Sequence, residues 1–436
     1  MPMPSTTELP RSGHAPIIKR LPNGLTIIAE QMPTEAVSLN IWLNVGSTNE
    51  ADAINGMAHF LEHMIFKGTP RIRMGEFERL IEERGAVTNA ATSQDYTHYY
   101  ITSSPKDFSA LAPLQVELLI NPLLEDDAFE RERPVILEEI RRAEDNPRRQ
   151  TFQKSMELNF EQLPYRRPVL GPAAVIESLT AAQMRGFHQR WYQPQNMTAV
   201  AVGNLPVEEL MAIVEQSFEQ ALQHRQQVPE LSLRDVALPT RTTEIPFEQI
   251  QRMRATDTRL QQSRLIMSWR VPGLAQLDDT FALDVVASIL GQGRTARLGN
   301  DLREDKKLVN GISASNITYG QQGVFYISAS LAAENLAAVE RAIAAHVAKL
   351  HTEPVTANEL RRVRTQVANR YVFGGETPSD RAGLYGYYHA LTGNVQHALD
   401  YPQAIQAIDA EAIQQAVQQY LPVAAYGILT LRPDET

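Results

Sequence analysis

The sequence predicts an α+β protein made of two homologous halves, and three observations carry that prediction. The chain has 436 residues, more than one ordinary core holds, so roughly two to four domains are expected. Two distant segments, one starting at Ile176 and one at Ile405, align without a gap. Strand and helix patterns alternate in both halves. The strands fall in hairpin-like pairs, unlike the strict alternation of a parallel doubly wound sheet.

In chain order, "AVSLNIWLNVGS" around Leu39 is the first clear strand. From Ala58 to Phe66 the period is helical, with Ala58, Leu61, Met64 and Ile65 recurring on one face. "YTHYYITSS" alternates as a strand. "DDAFERERPVILEEIRRAEDNP" is helical, and Pro134 is expected to bend it or to cost one hydrogen bond. From Ile176 a helix leads through a turn with tyrosine and proline into an apolar strand, and the segment from Ile405 repeats that order. Ile176, Leu179, Met184 and Trp191 fall opposite Ile405, Ile408, Ile413 and Tyr420. Thr180 and Asp409 stand where a helix N-cap belongs. "SRLIMSWRVPG" and "GVFYISASL" are strands of the second half, and Gly374–Gly375 mark a turn or helix break. Residues 223–249 are polar, weakly periodic and carry three prolines, as a linker does. The expected domains are therefore 1–222 and 250–436.

Composition removes several function classes. The net charge is −10 and no lysine- or arginine-rich block occurs, which argues against a nucleic-acid partner. No apolar run approaches the ~18 residues of a membrane span. The opening "MPMPSTTELPRSGHAP" lacks the basic and apolar regions of a signal peptide. A cytoplasmic location is expected, with the periplasm as the alternative if a targeting segment has been removed. There is no cysteine, so disulfides, thiol catalysis and thiolate metal sites are excluded. Any metal would be held by histidine and carboxylate.

His59 and His63 lie four residues apart on the first helix, so both imidazoles project from one face and can chelate one cation. The flanks are apolar. Burying two histidines and a glutamate unpaired there would cost several kcal/mol, a penalty that a metal removes. Glu62 leans toward the same place, and a carboxylate beside a metal that is not a ligand suits a general base. The third ligand should come from the later helix. Its Phe129, Glu132, Ile136, Glu139, Ile140 and Ala143 form one stripe, whereas Glu138 falls with Arg131, Arg141, Arg142 and Asp145 on a charged face. The period favours Glu139 over Glu138 and pairs it with Glu132.

"HFLEHMIFKGT", "GAVTNAATSQDYTHYY" and "ERERPVILEEIRRAEDNP" together resemble the inverzincin peptidases. This is the pitrilysin, insulin-degrading-enzyme and mitochondrial-processing-peptidase group, with the signature H-x-x-E-H. The resemblance runs along essentially the whole chain. It implies that His59, His63 and Glu139 bind one Zn2+, that Glu62 is the catalytic general base, and that Glu132 supports the site. It implies a substrate peptide laid against a strand edge at Asn89 and Ala90. It also implies that each half is a mostly antiparallel sheet with helices on one face. Four such domains would form a clamshell, two from this chain and two from a second.

The sequence departs from the family at one point. The family's C-terminal half carries an arginine and, seven residues on, a tyrosine that help polarise the scissile carbonyl. Arg303 is retained, but Asn310 stands at the tyrosine position. The region "LDVVASILGQG" holds no ligand set either. Either Tyr319 or Tyr326 takes the missing role, or a homologous partner subunit supplies the Arg/Tyr pair. The second is the expectation, as a heterodimer with a homodimer as the alternative. The function expected is a zinc endopeptidase or oligopeptidase acting on peptides or unfolded segments. The competing reading is a non-catalytic scaffold of the same fold, which has no need to keep His59, Glu62, His63, Glu132 and Glu139 together.

Overall fold

Alternating apolar residues in both halves pair into two sheets that repeat one topology. The computed structural model describes residues 15–225 and 242–433. In the first half the strands are β1 (Ile17–Arg20), β2 (Thr26–Gln31), β3 (Val37–Leu43), β4 (Val87–Thr92), β5 (Thr97–Ser103) and β6 (Met197–Gly203). The second half contributes β7 (Gln251–Thr256), β8 (Ser263–Pro272), β9 (Gly311–Ile317), β10 (Gln322–Leu331) and β11 (Gly427–Arg432). The sheet orders are β1-β2-β6-β3-β5-β4 and β7-β11-β8-β10-β9. Strip β1 from the first sheet and the two coincide, directions included. β2–β6 and β7–β11 are the parallel pairs, and every other pair is antiparallel.

The helices of the first half are α1 (Met57–Ile65), α2 (Glu76–Glu83), α3 (Pro105–Ile120), α4 (Asp126–Glu144), α5 (Pro147–Asn159), α6 (Ala173–Ser178), α7 (Ala181–Trp191) and α8 (Val207–Gln223). Those of the second are α9 (Leu277–Gly291), α10 (Leu336–Thr352), α11 (Ala357–Phe373), α12 (Pro378–Thr392), α13 (Gln396–Ala407) and α14 (Ala410–Tyr420). The aligned helices α7 and α14 start alike. Thr180 accepts the N–H of Gln183, and Asp409 accepts that of Ala412. Pro134 sits inside a continuous α4, and Gly374 caps the end of α11.

Each sheet carries helices of its own half on one face. The other face takes a helix from the opposite half. α12 lies across β3 and β6, and α5 lies across β8 and β11. Both exchanged helices occupy the same place in their halves, directly after α4 and α11. Ile28, Trp42, Val200 and Val202 of the first sheet therefore join the core of the second half. Gly386 makes the close approach possible, because a Cβ there would stand 2.0 Å from Nε1 of Trp42.

The halves are also tied by polar contacts. The Asp95 carboxylate accepts the Tyr165 hydroxyl (3.0 Å) and the N–H of Gly320 (2.8 Å). Residues 226–241 of the expected linker lie outside the described residues. The described stretch after them is held down through Glu244, whose Oε1 accepts the N–H groups of Glu161, Gln162 and Leu163.

Candidate metal centre

α1 begins without a side-chain cap, because its N-cap is Gly56 at φ +98°. No other residue fits. A Cβ there would meet the Leu170 carbonyl at 2.6 Å, and the left-handed φ adds strain. The cap comes instead from Glu50, six residues upstream and fully buried. Its Oε1 accepts the N–H of Ala58 (2.7 Å), and its Oε2 accepts the N–H of Gly56 (2.9 Å) and Nδ2 of Asn55 (2.8 Å). Burial pushes the Glu50 carboxyl up to about 7, against these hydrogen bonds and nearby Arg167.

Phe60, Leu61, Met64 and Ile65 sink into the core of the first half. Phe60 stacks on Phe129 of α4 at 4.4 Å between centroids. Phe129, Ile136 and Ile140 are buried on the α4 stripe, and that packing aims the carboxylates of the same stripe at α1.

His59, His63 and Glu139 meet, with one ligand atom of each within 4.8 Å of the others. Glu139 Oε2 is 3.5 Å from Nε2 of both histidines. Nδ1–H of His63 donates to Glu132 Oε1 at 3.0 Å, which turns Nε2 toward Glu139. Lys67, one turn after His63, holds the other Glu132 oxygen at 2.6 Å. Glu62 lies between the histidines in sequence, and its Oε2 accepts the hydroxyl of Thr92 on β4 at 2.5 Å. Glu138 points away and pairs with Arg141 and Arg142, as the period implied.

The electrostatics separate the two histidines. Burial lowers His59 to about 4, against the pull of Glu139. Burial also acts to lower His63, but hydrogen bonds to Glu132 and Glu139 outweigh it and raise the group to about 9. Burial raises the Glu62 carboxyl from its ordinary value, with the Thr92 hydroxyl opposing. The site thus offers one neutral imidazole, one imidazole whose proton a metal must displace, and a half-buried carboxylate beside them.

These residues fit zinc. Bonds of about 2.0–2.1 Å to a tetrahedral ion put ligand atoms about 3.3 Å apart, close to the two 3.5 Å separations present. Two imidazole nitrogens and one carboxylate oxygen make a three-ligand set of the kind that leaves one position open.

Other expected residues stand elsewhere. Asn89 and Ala90 are on β4, an edge strand that among the described residues pairs only with β5. The Asn89 side chain accepts the N–H of Ala90 at 2.9 Å. Arg303 lies in a short π-helical turn, Gly299–Asp305, and bonds to the adjacent Glu304 rather than meeting the histidines. Asn310 is exposed at the start of β9, and its N–H bonds to Ser330. Tyr319 is buried, stacked on Tyr165 at 4.5 Å, and Tyr326 packs against Phe152. Of the two tyrosines named as alternatives for the role missing at Asn310, Tyr319 is therefore committed to packing, whereas Tyr326 is only half-buried. The sequence reading missed Glu50, Lys67, Thr92 and Arg167. Of these, Lys67 carried a signal, being four residues past His63, in the turn that ends α1.

Comparison with known proteins shows the family. The model for insulinase (peptidase family M16) matches residues 25–173, and the model for the peptidase M16 inactive domain matches residues 178–367. An uncharacterized zinc protease of Mycobacterium tuberculosis is 28% identical over 437 residues, covering 99% of this chain and 96% of the relative. The zinc protease PqqE of Helicobacter pylori is 25% identical over 418 residues, covering 95% and 92%. The crystal structure of a protease from Helicobacter pylori superposes with a TM-score of 0.87 at 24% identity, over 96% of this chain and 99% of that one. The periplasmic protease PqqL of Escherichia coli gives a TM-score of 0.76 at 20% identity, over 98% of this chain but 48% of that one. With both family models in tandem and full-length relatives that are zinc proteases, the chain belongs to peptidase family M16, the inverzincins, in the two-domain form found in bacteria.

Proposed function

We propose that the protein is a zinc-dependent endopeptidase or oligopeptidase. It hydrolyses peptides or unfolded segments in a chamber completed by a second, homologous chain. The observation that carries this reading is the convergence of His59, His63 and Glu139, with the half-buried Glu62 carboxylate on the same helix, held by Thr92. In this reading His59, His63 and Glu139 hold the zinc. When bound, zinc supplies Lewis acidity, which lowers the pKa of water toward ~7 and polarises a carbonyl. Glu62 takes the proton of the attacking water and passes it to the leaving amine. Glu132 fixes the ring of His63 through Nδ1. The main chain at Asn89 and Ala90 pairs with an extended peptide, once Asn89 releases the Ala90 N–H.

Two observations support the partner. This chain retains Arg303 but has Asn310 where the pair needs tyrosine, and Tyr319, the nearest tyrosine in sequence, is buried in a stack with Tyr165. Its fold matches about half of a longer protease chain, as half of a closed assembly would. The competing scaffold role gains nothing from a ligand set kept complete.

The test is cleavage of a quenched peptide by the zinc-loaded protein, alone and as the complex purified from its native source. Zinc-dependent turnover by the complex, lost in Glu62→Gln, is the expected result. A zinc-loaded complex that cleaves no peptide would overturn the reading. Full activity of the isolated chain would remove the partner.

A further inference from the structure

The two histidines are held by different means. His63 has Glu132 on its Nδ1. His59 has no such support: its Nδ1 is buried and has no hydrogen-bond partner among the described residues. A metal-ligating histidine ordinarily donates its second ring nitrogen, and that bond fixes the ring. The His59 ring must therefore be set by its packing and by the backbone that carries it.

That backbone is clamped. His59 follows Ala58, whose N–H lies 2.7 Å from Glu50 Oε1. The same carboxylate takes the Gly56 N–H and is steadied by Asn55, whose Nδ2 also reaches the Pro168 carbonyl. Arg167 closes the loop from behind. Its Nη2 donates to the carbonyls of Ser47 (2.7 Å) and Glu50 (2.9 Å), and its Nη1 to Asp52 (3.0 Å). Glu50, Asn55 and Arg167 are all buried. A carboxylate at a helix N-terminus satisfies orphan N–H groups and meets the positive end of the helix dipole. Because Gly56 cannot carry a cap, this remote clamp alone defines where the first turn begins.

We infer that Glu50 is a positioning residue for the metal site, placing His59 through the start of α1 as Glu132 places His63 through its ring. The inference rests on the zinc-peptidase reading and adds to it a residue that touches neither metal nor substrate. Glu50→Gln keeps the size but leaves one acceptor oxygen for two backbone donors and turns an NH2 group toward the other.

The experiment compares wild type, Glu50→Gln and Asn55→Ala by zinc affinity and by the visible absorption of the cobalt(II)-substituted protein. All are measured well below the melting temperature of each. Expected are a ~10–100-fold weaker zinc Kd and an altered cobalt spectrum in Glu50→Gln. Asn55→Ala, which leaves the carboxylate in place but less restrained, should give a smaller loss in the same direction. A merely structural Glu50 would lower the melting temperature and leave both metal readouts unchanged, and that result would overturn the inference. If Glu50→Gln does not fold, Asn55→Ala decides: an unchanged Kd and spectrum in it overturns the inference. Wild-type protein that binds no zinc would overturn both this inference and the peptidase reading, whereas equal binding by all three proteins would overturn this one alone.

Discussion

Zinc uptake should be coupled to the release of one proton, and the structure sets its size. Without metal, His63 titrates at about 9, while His59 titrates at about 4. Ligation needs both rings neutral. At pH 7 His59 is already neutral. That pH is well below the His63 pKa, so on the order of 1% of molecules have the ring neutral, a penalty of roughly 3 kcal/mol on zinc binding. The apparent affinity should therefore rise about tenfold per pH unit until the pH reaches about 9, then level off. Calorimetry in buffers of different ionisation enthalpy measures the proton directly, and chelator competition across that range measures the slope. Glu132→Ala removes both the charge and the hydrogen bond that hold the proton on His63. It should flatten the slope, yet above pH 9 it should bind zinc ~10–100-fold more weakly because the ring is no longer oriented. Zinc binding that releases no proton at pH 7 would refute the account of His63.

Other outcomes follow from the same geometry. Glu62→Gln should keep zinc and lose ~10²–10⁴-fold in peptide turnover, whereas His63→Ala should lose metal and turnover together, as metal analysis beside a peptide assay would read. Lys67→Met should weaken zinc binding, by less than Glu132→Ala does, because Glu132 keeps its bond to His63 but loses its ammonium partner. The metal-free protein should lose stability as pH rises. The folded-state pKa of His63 lies above its ordinary 6.5, so its contribution is complete below 6.5 and vanishes as pH passes about 9; urea unfolding at several pH values tests the sign. Gly386→Ala should cost about 1–3 kcal/mol in the same assay, since its methyl meets the Trp42 indole and α12 must lift from the first sheet.

Local chemistry was legible in the sequence where one segment carried the whole signal. Thr180 and Asp409 marked helix starts because a cap is a contact over three residues. The stripe on α4 separated Glu139 from Glu138 because a helix of nineteen residues fixes its faces. Long-range structure was not legible. The exchange of α5 and α12 between the sheets depends on surfaces that meet only after folding, and Trp42 against Gly386 leaves no local trace. Glu50 was invisible for a related reason: a cap normally sits at the helix boundary, and here it reaches back from six residues upstream. β1 and β2 were passed over because β1 is four residues long and exposed, and β2 is almost wholly buried, so neither alternates.

Anomalous diffraction at the zinc edge, from crystals of the zinc-loaded protein, tests the central claim most directly. The account predicts a strong peak bounded by Nε2 of His59, Nε2 of His63 and the Glu139 carboxylate, absent in His63→Ala. A zinc-loaded crystal with no peak there, or with its peak on other residues, would contradict it.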